Sequence, residues 1–175
     1  MSDDADARRD GPTIDDIGAA YRGILSRFCT GVVVITARDE ADGPVGMTVG
    51  SFSSVSMDPP LVAFYATHTS TTFPKIAASG RFCANILAAD QHTLGRSFAR
   101  SGADKFAGVQ WTPTRWGVPR LDGVEAWIDC EVDLIQTIGD HDLVVGRVVD
   151  LGAETDRDPL LFYSSGFHRL GVATR

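Results

Sequence analysis

Between Thr48 and Pro60 the chain concentrates hydroxyl groups: Thr48, Ser51, Ser53, Ser54 and Ser56, interleaved with Val49, Gly50 and Val55 and stopped by Pro59-Pro60. An extended edge of this kind offers backbone N–H groups and hydroxyls to a planar heteroaromatic ring with carbonyls and ring nitrogens. A polar strand edge before a turn has the same composition. Thr67-His68-Thr69-Ser70-Thr71-Thr72 precedes a helix start near Phe73. Hydroxyls and free N–H groups there suit a phosphate, although an over-supplied helix cap reads alike. Lys105, set in a loop with Phe106 and downstream of Phe98, can neutralise such a phosphate or simply sit as a solvated charge. Gly139-Asp140-His141 stands at a hairpin corner. Backbone needs account for the Gly and Asp, and the functional reading puts the imidazole beside a pocket.

Other chemistries lack their residues. There is no G-x-G-x-x-G turn opening a helix, no P-loop, no G-x-S-x-G elbow and no H-E-x-x-H. His68, His92, His141 and His168 do not have metal-ligand spacing, so no metal site is expected. Cys29, Cys83 and Cys130 are odd in number and far apart, which argues against disulfides. All three read as small buried apolar residues.

These candidates need elements to position them. Thr13 to Phe28 reads as a helix, capped by Thr13, acidic in its first turn, with Ile17, Tyr21, Ile24 or Leu25, and Phe28 on one face. Val32 to Thr36 is a β-branched strand, and Gly43-Pro44 breaks the chain before a second strand over Val45 to Phe52. Leu61 to Ala66 is a strand, Phe73 to Ser79 a short helix stopped by Gly80, and Arg81 to Leu87 a strand. Asp90 caps a helix running through Ala99, with Leu94 and Phe98 on its apolar face. Ser101 to Asp122 reads as a loop-rich excursion. Ala126 to Ile138 alternates as a long strand, Gly139 to Asp142 is a turn, and Leu143 to Leu151 is the return strand. Pro159 to Tyr163 and Gly166 to Leu170 are two short strands. Strands and helices do not alternate regularly, so the fold class is mainly β, an antiparallel barrel with peripheral helices.

The chain has 175 residues and a net charge of −7, enough for one domain. Six carboxylates against two arginines between Met1 and Ile17 hold more than half of that charge. Residues 1–12 therefore read as a disordered acidic tail, and 13–175 as the folded domain. Nucleic acid is not an expected partner of such a chain. No apolar run spans a membrane, and the start lacks a secretory pattern, so the expected location is the cytoplasm.

Taken in order, several segments resemble the short-chain flavin reductase family, the reductase components of two-component flavin-dependent monooxygenases. They are Phe28 to Thr36, Gly46 to Ser56, Pro59 to Val62, Ser70 to Ile76, Phe82 to Leu87, Ser97 to Ala99, Asp104 to Val109 and Gly139 to His141. The similarity runs from about Ala20 to Leu170. It implies a split β-barrel with Greek-key strands, working as a homodimer beside a partner monooxygenase. FMN or FAD would lie along Thr48, Val49, Gly50, Ser51, Ser53, Ser54 and Val55, near the dimer interface. Ser70, Thr71 and Thr72 match the stretch that holds the ribityl phosphate, Lys105 lies in the phosphate-side loop, and Phe98 in a matching segment. Asn85 matches a position beside the flavin, and His141 the residue that contacts the nicotinamide nucleotide. Tyr163 and Phe167 match positions that close the pocket. Many relatives carry Ala-Asn where this chain has Val49-Gly50, which leaves FMN against FAD open.

The reaction so implied is hydride transfer from C4 of NAD(P)H to N5 of the flavin, with no acid–base cluster required. With no compact arginine pair evident for a 2′-phosphate, NADH is expected over NADPH. Two other readings use the same barrel: a carrier or sensor that binds flavin or haem without reductase activity, and an oxidase of the pyridoxine-phosphate type. No basic cluster suited to a phosphorylated substrate favours the latter.

Overall fold

Thr13 and Asp16 open the first element with a reciprocal cap. The Asp16 backbone N–H donates to the Thr13 hydroxyl (3.2 Å), and the Thr13 N–H donates to the Asp16 carboxylate (3.0 Å). The Thr13 hydroxyl also donates to the Asp16 carboxylate (2.7 Å), and this bond together with the Thr13 N–H holds the Asp16 carboxyl below its ordinary pKa. The computed structural model describes residues 13–41, 43–102, 104–154 and 156–171. The expected tail over 1–12 lies outside them.

Helix α1 spans Ile14–Leu25, three residues short of the expected end. Its apolar face does not pack inward. Instead Ile17, Tyr21, Ile24, Leu25 and the following Phe28 are all exposed, and α1 buries no residue. Cys29, expected to be buried, is exposed with them, whereas Cys83 and Cys130 lie in the interior.

Strands β1 (Thr30–Gly31), β2 (Val33–Asp39), β3 (Gly43–Val49), β4 (Ser53–Met57) and β5 (Pro60–Thr67) follow. Helix α2 (Phe73–Ser79) matches its expected bounds, and Gly80 ends it with a left-handed φ of 66°. Then come β6 (Arg81–Ile86), α3 (His92–Ala99), β7 (Trp111–Pro113), β8 (Pro119–Leu121), β9 (Ala126–Ile138), β10 (His141–Ala153), β11 (Leu161–Tyr163) and β12 (Gly166–His168).

Seven strands form one antiparallel sheet in the order β3-β2-β6-β9-β10-β5-β4. The fold is thus mainly β, but the sheet does not close into a hydrogen-bonded barrel, because β3 and β4 both end it as edges. A second sheet joins β1, β11 and β12, and β7 pairs with β8.

Several bounds differ from the sequence expectation for local reasons. Strand β3 starts earlier, because Gly43 pairs with Asp39, and stops at Val49, whose partner is Val33. The serine-rich run was not read as a strand; yet Ser53–Met57 pairs with β5, with a register shift between Ser54 and Ser56 that leaves Val55 without a partner. The excursion over Ser101 to Asp122 contains the β7–β8 hairpin, whose proline-rich strands mask the alternation. Asp90 does not cap α3. Its carboxylate pairs with Arg157 at 2.7 Å, and α3 starts after Gln91 without a side-chain cap. The long hairpin turns on Gly139-Asp140 alone, so His141 is already the first residue of β10, opposite Ile138.

Two cores hold these layers. The first packs Ile35, Phe64, Phe82, Ala84 and Val144 of the sheet against Phe73 and Ile76 of α2. Gly146 belongs to this layer, since a Cβ there would collide with the Phe82 ring. The second packs Val32, Val34, Leu87, Leu121 and Leu160 around Phe98 of α3. Between sheet and β8, Asn85 is fully buried and fully bonded: its amide donates to the Val34 and Cys83 carbonyls and to Thr36 Oγ1, and its oxygen accepts from Leu121 N–H. Asp129 is also fully buried, near Thr114 and Arg81 but without a well-formed hydrogen bond to either. Burial raises its pKa.

Candidate functional site

The end of β3, the loop before α2, the C-terminus of α3 and the loop carrying Lys105 meet at one edge of the sheet. Phe98 makes this junction possible. Its ring fills the space beside Gly46, where a Cβ would lie 2.7 Å from it, and stacks edge-on with Phe106 at 5.0 Å. The Lys105 ammonium spans the junction. It donates to the carbonyls of Gly46 (3.0 Å) and Phe98 (3.2 Å) and to the Thr72 hydroxyl (3.2 Å). It is therefore not a free surface charge, and desolvation lowers its pKa.

Two adjoining clefts flank Lys105. One, of 440 Å³, is bounded by Pro44–Gly46, Thr71, Thr72, Lys75 and the 104–106 loop. The other, of 170 Å³, draws in Thr48, Thr67, Ser70, Thr71, Thr72 and the α3 end from Phe98 to Ser101. Hydroxyls and a cation on both sides of one wall fit an anionic group such as a phosphate. The Ser70 hydroxyl also accepts the Phe73 N–H at the start of α2 (3.1 Å). Thr48 gives its hydroxyl to the Gly95 carbonyl (2.7 Å), tying β3 to α3.

An apolar hollow of 160 Å³ continues from there, lined by Val32, Thr48, Val49, Gly50, Phe162 and Phe167 among others. Its walls suit the flat face of a ring. Gly50 has a packing reason as well: a Cβ would sit 2.9 Å from Thr30 Oγ1, so the residue lets β1 approach β3. Phe162 and Phe167 face each other across the β11–β12 hairpin at 5.5 Å. Ser164 and Ser165 close that hairpin, both with positive φ (50° and 63°), a conformation that costs energy for non-glycine residues.

Beyond the hollow, Ser51 bonds both the N–H (2.9 Å) and carbonyl (3.3 Å) of Tyr65, joining the end of β3 to β5. Ser53, Ser54 and Val55 follow on the exposed edge strand β4. His141 pairs across β10 with Thr67, a residue of the smaller cleft. The Asp140 carboxylate lies 2.7 Å from its Nδ1, which lowers the Asp140 pKa and leaves Nε2 for other contacts.

The fold thus gathers Thr48, Val49, Gly50, Ser70, Thr71, Thr72, Phe98, Lys105 and Phe167 on one continuous groove, with His141 one strand away. It does not bring Asn85 there, because that side chain is spent inside the structure. Tyr163 is exposed beside the groove and lines none of these hollows. Sequence reasoning missed Lys75, Arg100 and Phe162 as groove residues. Lys75, one helical turn after Thr72, and Phe162, facing Phe167 across a short hairpin, carried signals that could have found them.

Comparison with known proteins bears on this groove. Residues 25–171 match the model of the flavin reductase like domain. A flavin reductase from Pseudomonas putida is 43% identical over 147 residues, covering 84% of this chain and 86% of that protein. An NADH-dependent FMN reductase, SmoA, from Agrobacterium fabrum is 39% identical over 150 residues, covering 86% and 84%. The crystal structure of nitrilotriacetate monooxygenase component B from Mycobacterium thermoresistibile superposes with a TM-score of 0.85 at 41% identity, covering 90% of each chain.

Proposed function

This chain belongs to the flavin reductase-like domain family, and on that premise we propose that its groove holds a flavin and a nicotinamide nucleotide face to face. The protein is an NAD(P)H-dependent flavin reductase. When bound, the flavin accepts at N5 the hydride that leaves C4 of the dihydronicotinamide. The residues' part is to bind and orient, and no side chain has to move a proton.

The observation that carries this reading is the convergence of Thr48, Ser70–Thr72, Phe98 and Lys105 on one wall, with an apolar ring-sized hollow at its end. Ser70, Thr71, Thr72 and Lys105 take the ribityl phosphate. The Thr48–Gly50 wall supports one face of the isoalloxazine, and the exposed hydroxyls of Ser53 and Ser54 offer polar contacts at its edge. His141, held by Asp140, contacts the nicotinamide nucleotide. Phe167 and Tyr163 border the opening. Asn85 acts indirectly, by fixing β2, β6 and β8 behind the groove. FMN fits this phosphate wall as well as FAD does, and NADH is the expected donor.

The product flavin passes to a partner monooxygenase, and the two relatives named as an NADH-dependent FMN reductase and a monooxygenase component support that placement. We read the enzyme as a cytoplasmic homodimer with a split-barrel fold. The exposed apolar face of α1 supports the dimer, and the seven-stranded antiparallel sheet with a hydrophobic core of its own supports the barrel.

Steady-state kinetics of His141→Ala test the site. The account expects KM for NADH to rise about tenfold, or about 1.4 kcal/mol, with flavin KM little changed. Unchanged NADH kinetics would remove His141 from the nicotinamide side.

A further inference from the structure

A second hollow lies on the far side of Phe167, between α3 and β12. It measures 380 Å³, and its polar lining consists of His92 and Arg96 from α3 and His168 and Arg169 from the chain end. No carboxylate lines it. The neighbouring acid, Asp90, is paired with Arg157. Among the described residues neither Arg96 nor Arg169 forms an ion pair. Arg96 stands 5.8 Å from the Phe167 ring centroid, and His168 Nε2 lies 3.1 Å from the Tyr163 carbonyl, so the hairpin fixes both in place. The start of α3, at His92, carries no side-chain cap, and its dipole adds to the positive potential.

Uncompensated guanidinium groups gathered around a concave surface recognise phosphate. The flavin phosphate already has its wall at the other end of the groove, around Lys105. Phe167 lines both this hollow and the ring-sized one. A nicotinamide ring stacked on a flavin that rests on the Thr48–Gly50 wall would border Phe167, and this hollow, which shares Phe167, would lie next to it for the donor's phosphates. We propose that it binds the phosphate-bearing half of the nicotinamide nucleotide, with Arg96 and Arg169 as the residues that set affinity for the hydride donor. The assignment rests on the flavin reductase reading. It also revises the expectation that no compact arginine pair exists, because the fold joins two arginines that are far apart in the chain.

The test compares wild type with Arg96→Gln, Arg169→Gln and the double variant, at saturating FMN. The donors are NADH, NADPH and the phosphate-free N-benzyl dihydronicotinamide. The expected result is a rise of about tenfold in KM for the phosphorylated donors, with kcat and the phosphate-free donor within about twofold of wild type. A larger rise for NADPH than for NADH assigns the arginines to the 2′-phosphate, and equal rises assign them to the diphosphate. Arg96→Lys with Arg169→Lys should recover part of the loss, which a merely structural role would not allow. Unchanged KM for NADH and NADPH overturns the proposal, as does an equal loss with the phosphate-free donor. A rise in KM for FAD without one for FMN overturns it too, because the hollow would then hold the flavin's adenylate. Wild type that turns over no donor would instead defeat the reductase reading itself.

Discussion

Lys105 shows how one side chain can serve both architecture and binding. Its ammonium holds three segments together through Gly46, Phe98 and Thr72, yet it lines both clefts where a phosphate fits. Lys105→Gln should raise KM for FMN about tenfold while leaving riboflavin, which has no phosphate, nearly unchanged. A pH profile of FMN affinity adds a sign. Burial lowers the Lys105 pKa, so the charge that phosphate needs is lost as pH rises through a value below the ordinary lysine range. The alkaline fall in FMN affinity should start there and be absent for riboflavin. From residue types alone Lys105 could equally have been a solvated charge, because its three acceptors are backbone and hydroxyl oxygens, two of them brought in from distant positions. Asn85 erred in the opposite direction: a polar residue in a matching segment read as a ligand contact, and its bonds all point inward.

At the scale of elements, local pattern specified most of what forms. The β-branched run at β2, the alternation of β9 and the Gly80 stop after α2 were legible because each follows from local sterics. Strand β4 and the β7–β8 hairpin were not, since a serine-rich edge and proline-bearing strands draw their pairing from distant partners. The same sheet hides Asp129, an outward alternation member in sequence that is covered by Thr114 and Arg81. Its pKa is raised by burial, so the folded protein holds this proton more tightly than the unfolded chain. The associated stability is present below the unfolded pKa and declines as pH rises through the folded one. Asp129→Asn should therefore melt higher than wild type at neutral pH, by roughly 1 kcal/mol in stability, and the gap should shrink as the pH is lowered. Thermal melts across that range check it. A gap independent of pH would mean that Asp129 carries no such burden.

For the whole molecule, the least covered element is α1. A helix of 12 residues with a good cap and one apolar face is too short to persist on its own in water. Among the described residues nothing covers Ile17, Tyr21, Ile24 or Leu25. Its end is tied to the β11–β12 hairpin by Ser164 N–H donating to the Ser26 carbonyl (2.8 Å), so whatever covers α1 also sits next to the groove. Val55, Met57 and Tyr65 on β4 and β5 form further exposed apolar surface. If a second copy supplies the cover, Ile17→Lys with Ile24→Lys should shift sedimentation from dimer to monomer and weaken flavin binding with it. A wild-type protein that sediments as a monomer would contradict the dimer.

The central claim, that one groove passes a hydride from the nicotinamide to the flavin, has a direct measurement. Purified protein is mixed without oxygen with NADH and FMN, and the visible flavin band is followed in time. The account predicts bleaching that depends on the protein and slows when the transferred hydrogen at C4 of the donor is replaced by deuterium. No bleaching with NADH or NADPH, in the presence of either FMN or FAD, would contradict it.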